Sequence, residues 1–477
     1  MSQTSSDALA ERVDRMIHIG RIGAARPLVA ALRRMGLAPA RLDLLEAKLA
    51  LREGRITDAL SGLDRAIAIE STDAGLRKCR AEARLKADNL TGAADDAAES
   101  VILDRHDPAG KALLGIVLIE MHQYDDARSC LAEAVAADPH HPSYRVALAE
   151  ALSRLGRSSE AEATLAQAIA YHPSRADLRA KAILLQMRLR NFQGAITLAQ
   201  DAKSVGAADA CVFGLLGHAL SSLGQHSIAA DAYQDALKLC PEDSYVRHLV
   251  AASGGMPSAD RAPPEYLRAV FNSYADRFEP HLITLLYRVP GLIRSIMIPE
   301  LSKSDSPALL DLGCGTGLVA VTCSDLKLGP ITGVDISAAM LEKAREKRVY
   351  AELIEADLPQ FLDADPRSWP LVTAGDVFCY FGDLGGIFAK LRSHLVADGL
   401  FIFSVEELLP DADGIEQGGG DYSLGRLGRY AHSIEHIKSA AKSAGFQIEQ
   451  IMREDLRQES DNPVSGLVVV LRANFHA

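Results

Sequence analysis

The sequence predicts a multidomain protein: an all-α repeat solenoid followed by an α/β doubly wound domain. Three observations carry that prediction. Ala recurs at 25, 59, 93, 127, 161, 195 and 229, seven positions spaced by 34 residues without an insertion. Residues 254–264 then gather Gly254, Gly255, Pro257, Pro263 and Pro264, a composition that cannot continue a helix. Beyond them, short apolar runs alternate with amphipathic stretches, the mark of a mainly parallel sheet with interleaved helices. The 477 residues, 48% hydrophobic and 24% charged, leave room for more than one core and exclude a mainly disordered chain.

The first 253 residues divide into helical hairpins. Five residues before each Ala stand Gly20, Gly54, Asp88, His122, Gly156, Arg190 and Gly224; seven after it stand Leu32, Ala66, Ser100, Ala134, Ala168, Ala202 and Ala236. This order reads as helix, turn, helix, with small residues letting neighbouring backbones approach. Pro139, Pro173 and Pro241 end the second helix in three copies, since proline lacks an N–H and clashes with the preceding turn. Copies running 6–39, 40–73, 74–107, 108–141, 142–175, 176–209 and 210–243 resemble tetratricopeptide repeats, and 244–253 reads as one further helix covering the last hairpin. The solenoid is therefore bounded at 6–253. The resemblance implies a groove that binds a protein or peptide; a spacer or a self-association surface fits the same residues. Arg179, Lys181, Arg188 and Arg190 form a basic stretch that suits an acidic peptide or a solvated helix face equally.

After the 254–264 linker, strands are expected at 308–312, 331–334, 350–354, 371–374, 400–405, 447–452 and 467–471, in a domain spanning 265–477. The first runs into Asp311-Leu312-Gly313-Cys314-Gly315-Thr316-Gly317 and then an opening helix. Glycines there permit a tight turn and let backbone N–H groups approach a ligand at the carboxyl ends of the strands. Asp335 ends the second strand, where a carboxylate can accept ribose hydroxyls; Asp357 ends the third, within reach of an exocyclic amine. A dinucleotide fingerprint would want a glycine where Leu318 stands, and no phosphate-gripping Lys follows.

At these residues the sequence resembles the class I S-adenosylmethionine-dependent methyltransferases, and the whole chain resembles bacterial proteins that join tetratricopeptide repeats to such a Rossmann-like domain. The resemblance implies that S-adenosylmethionine is bound and leaves as S-adenosylhomocysteine. Gly313, Gly315, Thr316 and Gly317 would surround its methionine part, and Asp311 would act on its ammonium through the loop. Asp335 would hold the ribose, Ile336 and Met340 would pack on adenine, and Asp357 with Leu358 would read the adenine amino group. Tyr274 would sit on a helix folded over the cofactor; with Phe271 and Phe278 it also follows the spacing of a core face.

Methyl transfer needs alignment and, for O–H or N–H acceptors, a proton acceptor. Asp376 and Tyr380, after the fourth strand, are placed at the reactive end, Asp376 as a catalytic residue, although a turn acid and a core ring fit the same two positions. Glu406 after the fifth strand, with Arg429 and Tyr430, is placed on the acceptor side, and His432 is the preferred general base, although a His beside the helix cap Ser433 fits that position too. The polar insertion Asp411–Gly420 reads as a lid.

Net charge is −12, with 30 Lys/Arg against 33 Asp/Glu in residues 1–260 and 21 against 30 thereafter. That balance gives no general attraction for nucleic acid or anionic lipid. Seven scattered cysteines without a C-x-x-C pair suggest neither a metal site nor a disulfide framework. Met1–Ser6 lacks a secretion signal and the uncharged stretch 210–230 is broken by His and Gly, so a cytoplasmic location off the membrane is expected. The expected activity is methyl transfer to an O or N atom of a small-molecule or protein acceptor. A scaffold that only binds the cofactor is the rival reading.

Overall fold

The computed structural model describes residues 3–301, 306–409, 420–459 and 462–473. The chain forms two compact units, Met1–Leu215 and Leu216–Ala477. Helices α1–α14 follow one another from Gln3–His18 and Ile22–Arg34 to Ala210–Ser222 and His226–Leu239. In the first unit the repeat positions explain the hairpins. Ala25, Ala59, Ala93, Ala127, Ala161 and Ala195 have no exposed surface, and Ser100, which replaces Ala, satisfies its buried hydroxyl by donating to the Ala74 carbonyl at 2.9 Å. The turn position is left-handed throughout: Gly20, Gly54 and Gly156 lie at φ 74–78°, Asp88 at 58°, His122 at 61° and Arg190 at 57°. A side chain in that region costs about 1–2 kcal/mol, so glycine is the easier residue and its absence in three copies is tolerated by packing.

The prolines carry a second regularity. Arg145 donates to the Pro139 carbonyl at 2.9 Å and Arg179 to the Pro173 carbonyl at 3.2 Å, six residues back in each case. Arg188 pairs with Glu150 at 3.1 Å. Two members of the basic stretch thus serve the hairpins themselves. In the second unit Ala229 and Ala236 are again buried, and Arg247 repeats the bond, to the Pro241 carbonyl at 3.3 Å.

The rest of the second unit comprises α15 (Ser244–Ala252), α16 (Pro264–Tyr274), α17 (Phe278–Thr284), α18 (Val289–Leu301), β1 (Leu309–Leu312), α19 (Leu318–Thr322), β2 (Ile331–Asp335), α20 (Ala338–Glu346), β3 (Glu352–Glu355), α21 (Leu358–Ala364), β4 (Trp369–Ala374), α22 (Gly385–Ser393), β5 (Leu395–Glu407), β6 (Tyr422–Leu424), β7 (Tyr430–His432), α23 (Ile434–Ser443), β8 (Phe446–Glu459) and β9 (Asn462–Ala473). Strands β3-β2-β1-β4-β5 are parallel in that order; β9 lies antiparallel beside β5, with β8 beyond it. All seven expected strands form. The short β6 and β7, which pair where β5 outruns β4, were not expected.

Period-two alternation divides the core into two layers. Leu310, Leu312, Phe401, Phe403, Leu467, Val469 and Leu471 face one side, around Phe378 and Phe388. Leu309, Leu371, Leu400, Ile402, Val468 and Val470 face the other, against Val289, Ile293 and Met297 of α18. Each such side chain contributes roughly 1.5–3 kcal/mol by leaving water. Among the described residues no single helix is long and apolar enough to cross a membrane.

The Gly- and Pro-rich stretch carries no helix between α15 and α16, yet it is bound to the sheet domain. Ala251 and Ala252 of α15 pack with Leu424 and Tyr430, and His248 Nε2 lies 3.1 Å from the Gly428 carbonyl. The Tyr430 hydroxyl donates to the Ala259 carbonyl at 2.6 Å, and Arg261 forms an antiparallel bridge with Phe381. These contacts explain why the second compact unit begins upstream of the linker.

Candidate active site

A cavity of about 230 Å³ opens over the carboxyl ends of β1, β2 and β4. Gly313, Gly315, Asp335, Ile336, Met340, Asp357 and Leu358 line one end; Gly375, Asp376, Tyr380, Arg429, Arg457 and Glu459 line the other. Leu267, Phe271 and Tyr274 of α16, with Phe278, His281 and Leu282 of α17, close it over the top. Asn272 pins α16 down by accepting from the Ser337 hydroxyl at 2.6 Å.

The glycine loop has the shape its sequence requires. Gly313 and Gly315 have φ of 58° and 54°; a Cβ on Gly313 would run into Val377, whereas one on Gly315 would meet only Phe278, at 3.7 Å. Asp335 fastens the loop: its Oδ2 accepts from the Gly315 N–H and its Oδ1 from the Ser337 N–H, both at 2.8 Å. Burial pushes its carboxyl up to about 6, against the pull of these two donors. Ile336, Met340 and Leu358 supply the apolar surface beside it. A cradle with room above Gly315, an acid at the end of β2 and apolar side chains beyond it fit an adenosyl compound.

Asp311, Thr316 and Gly317 do not border the cavity. Asp311 is 1% exposed and ties β1 to β4 and to the segment before β3, accepting from the Tyr350 hydroxyl at 2.7 Å and the Thr373 hydroxyl at 2.8 Å. Burial raises its carboxyl to about 6 as well. Gly317, at φ 90°, is required by the Tyr350 ring, which a Cβ there would approach to 2.9 Å. The Thr316 hydroxyl is buried without a hydrogen-bond partner, and its carbonyl accepts from Lys347 Nζ at 2.6 Å.

Asp357 borders the cavity but is shared: its Oδ2 accepts from Arg261 Nη2 at 2.9 Å. Arg261 comes from the linker, where the sequence signalled only a breaker. Its neighbours hold the opposite wall, the Ala262 N–H donating to the Tyr380 carbonyl at 2.8 Å and the Gly382 N–H to the Asp260 carbonyl at 2.7 Å.

At the far end the charges interlock. Asp376, left-handed at φ 54°, accepts from Arg457 Nη1 on Oδ2 and from the Ser404 hydroxyl on Oδ1, both at 2.8 Å. Burial raises its pKa, opposed by the Arg457 charge. Arg429 donates to Glu406 at 2.6 Å and to both oxygens of Glu459 at 2.7 and 2.9 Å. Arg457 also donates to Glu459 at 2.8 Å and to Glu406. Glu406 therefore stands behind the arginines rather than on the cavity wall.

Two expectations require correction. His432 has no exposed surface; its Nε2 lies 2.8 Å from the Phe381 carbonyl and 3.1 Å from that of Gly382, so Nε2 carries the proton. Burial lowers its pKa to about 4. It is a packed strand residue off the cavity, because β7 turns it inward beneath the 381–382 segment. Tyr430, also fully buried, is taken up by the Ala259 carbonyl and the α15 contact rather than by an acceptor pocket. The lid expected at 411–420 lies, Gly420 apart, outside the described residues. The sequence reading missed Arg457 and Glu459, which a strand pattern alone presents as an ordinary exposed strand end, and Tyr287, which lines the cavity from the turn before α18.

A methyltransferase-domain family model matches residues 310–401, and two tetratricopeptide-repeat models match 118–186 and 212–243. The chain joins tetratricopeptide repeats to a methyltransferase domain. A malonyl-(acyl-carrier protein) O-methyltransferase of Halalkalibacterium halodurans is 35% identical over 112 residues, 22% of this chain and 40% of that relative. One of the same name from Priestia megaterium is 28% identical over 189 residues, 38% of this chain and 68% of the relative. The chain thus spans less than half of the first relative's length. A solved tetratricopeptide repeat protein from Parabacteroides merdae is 16% identical and covers 53% of this chain and 99% of its own, with a TM-score of 0.40.

Proposed function

We propose that the protein is a cytoplasmic S-adenosylmethionine-dependent methyltransferase acting on an O or N atom of a small-molecule or protein acceptor, with the repeats binding a protein partner or the acceptor itself. The observation that carries this reading is the convergence of Gly313, Gly315, Asp335 and Asp357 on one cavity with Ile336, Met340 and Leu358. When bound, S-adenosylmethionine supplies an electrophilic methyl group on a sulfonium.

The chain's own residues do the rest. Asp335 accepts from the ribose hydroxyls, Asp357 and Leu358 border the adenine edge, and Ile336 and Met340 cover the ring. Tyr274, Phe271 and Phe278 keep water out from above. Asp376, whose burial favours proton uptake, is the candidate base, with Tyr380 and Arg429 on the acceptor side and Glu406 supporting Arg429. The relatives named as O-methyltransferases support oxygen as the acceptor atom.

The test is incubation of lysate with the purified protein and methyl-labelled cofactor, followed by separation of macromolecular from small labelled products. The reading expects label in one of the two fractions, lost in Asp335→Ala. Cofactor binding with no labelled product in either fraction favours the scaffold reading instead.

A further inference from the structure

The cavity end lined by Asp376 places two arginines among three carboxylates, and the three are not equivalent. Asp376 is tied on both oxygens, to Arg457 and to Ser404. Glu406 is held within β5, in register with Gly466 and Ala431, and does not border the cavity. Glu459 borders it. It is the last residue of β8, its side chain is 24% exposed against 17% for Glu406, and its carboxylate lies in the fork of Arg429 Nη2 and Arg457 Nε at 2.7–2.9 Å. This is the arrangement in which guanidinium groups receive any carboxylate.

We propose that Glu459 stands where the methyl acceptor's carboxylate binds, so that the acceptor is a carboxylic acid, held as its anion across Arg429 and Arg457. The inference rests on the methyltransferase reading above. With Glu459 swung out to solvent and an incoming carboxylate in its place, each arginine keeps an anionic partner. A neutral alcohol or amine would have to hand its proton to Asp376, the candidate base, against the pull of Arg457 and Ser404 on its two oxygens. A carboxylate arrives without one. In the transfer, one carboxylate oxygen forms a bond to the methyl carbon while the carbon–sulfur bond breaks and its electron pair stays on sulfur. Anion and sulfonium become ester and thioether, and no proton moves.

Succinate is the probe and succinamide its neutral counterpart, each titrated calorimetrically into the full-length protein with and without S-adenosylhomocysteine. Wild type is expected to bind succinate and not succinamide. Glu459→Ala, which removes the resident carboxylate, should bind succinate about 10-fold more tightly, and Arg429→Ala about 10-fold more weakly, with S-adenosylhomocysteine affinity changed less than about 3-fold in either. Glu459→Gln, which keeps the side-chain volume, should follow Glu459→Ala in direction, and thermal melts establish that each variant is folded. Equal affinity for succinate and succinamide, or no succinate binding in wild type and Glu459→Ala alike, would overturn the proposal. It would equally be overturned if Arg429→Ala weakened S-adenosylhomocysteine instead, since the arginines would then serve the cofactor's own carboxylate. Failure of S-adenosylhomocysteine to bind wild type is a separate result, and removes the reading on which the proposal stands.

Discussion

The two ends of the cavity are held by different means. At the Asp335 end, backbone turns and single carboxylates from neighbouring strand ends do the work: Gly315 and Ser337 donate to Asp335, and one arginine, Arg261, reaches Asp357. At the Asp376 end, five charged side chains from four separate segments interlock through short bonds. The first end is a rigid cradle, into which a ligand fits without rearranging ion pairs. The second is a network in which any ligand of like charge must exchange with a resident group. The ends should therefore answer differently to mutation, the first mainly in binding and the second in stability as well.

The largest expected effect is at the network. Arg457→Ala leaves the part-buried Asp376 and Glu406 without their shared partner, at a cost of up to about 3 kcal/mol, read as a fall in the melting midpoint. An unchanged midpoint would break the contrast between the two ends. A smaller effect is expected at Arg261. Arg261→Ala should weaken S-adenosylhomocysteine binding about 10-fold, with partial recovery in Arg261→Lys, because the linker arginine fixes the Asp357 carboxylate. Equal affinity in all three proteins would remove the linker from the cofactor site.

The pH dependence sharpens the comparison further. In the proposed reading Asp335 accepts from ribose as a carboxylate, and burial pushes its pKa up to about 6, so cofactor affinity should decline as pH falls through 6. For the ligand-free fold the sign is the opposite: this raised pKa contributes stability below the unfolded value near 3.8 that is lost as pH rises through 6. Calorimetric affinities measured between pH 5 and 8 check the first statement; a flat profile contradicts it. The smallest effect lies outside both ends. His432, held neutral by burial at about 4, contributes stability present above 6.5 and lost as pH falls toward 4, so His432→Gln should flatten that part of an acid melt. It should leave methyl transfer in place.

The cradle was legible in the sequence because its parts are local. A glycine loop after a strand, an acid ending the next strand and another ending the third are each fixed by a few neighbouring residues. So were the hairpins, since a 34-residue period with one buried Ala is a statement about packing at every copy. The network was not legible. Arg457 and Glu459 sit two apart in Arg453-Glu454-Asp455-Leu456-Arg457-Gln458-Glu459, a charged run that reads as a solvated strand end, and only the β8–β9 hairpin brings them against Asp376 and Arg429. His432 was misassigned for the same reason: a three-residue strand, too short to show a period, turned it inward. Arg261 was hidden by its setting, because a Pro-rich stretch signals where helices stop and nothing about what it touches.

The central claim is that the Asp335 cradle holds an adenosyl cofactor, and calorimetric titration of S-adenosylhomocysteine into wild type and Asp335→Ala tests it most directly. The account predicts single-site binding to wild type and a loss of at least about 100-fold in the variant, with the melting midpoint of the ligand-free variant no lower than that of wild type by more than a few degrees. Equal binding to both proteins, or none to either, would contradict it.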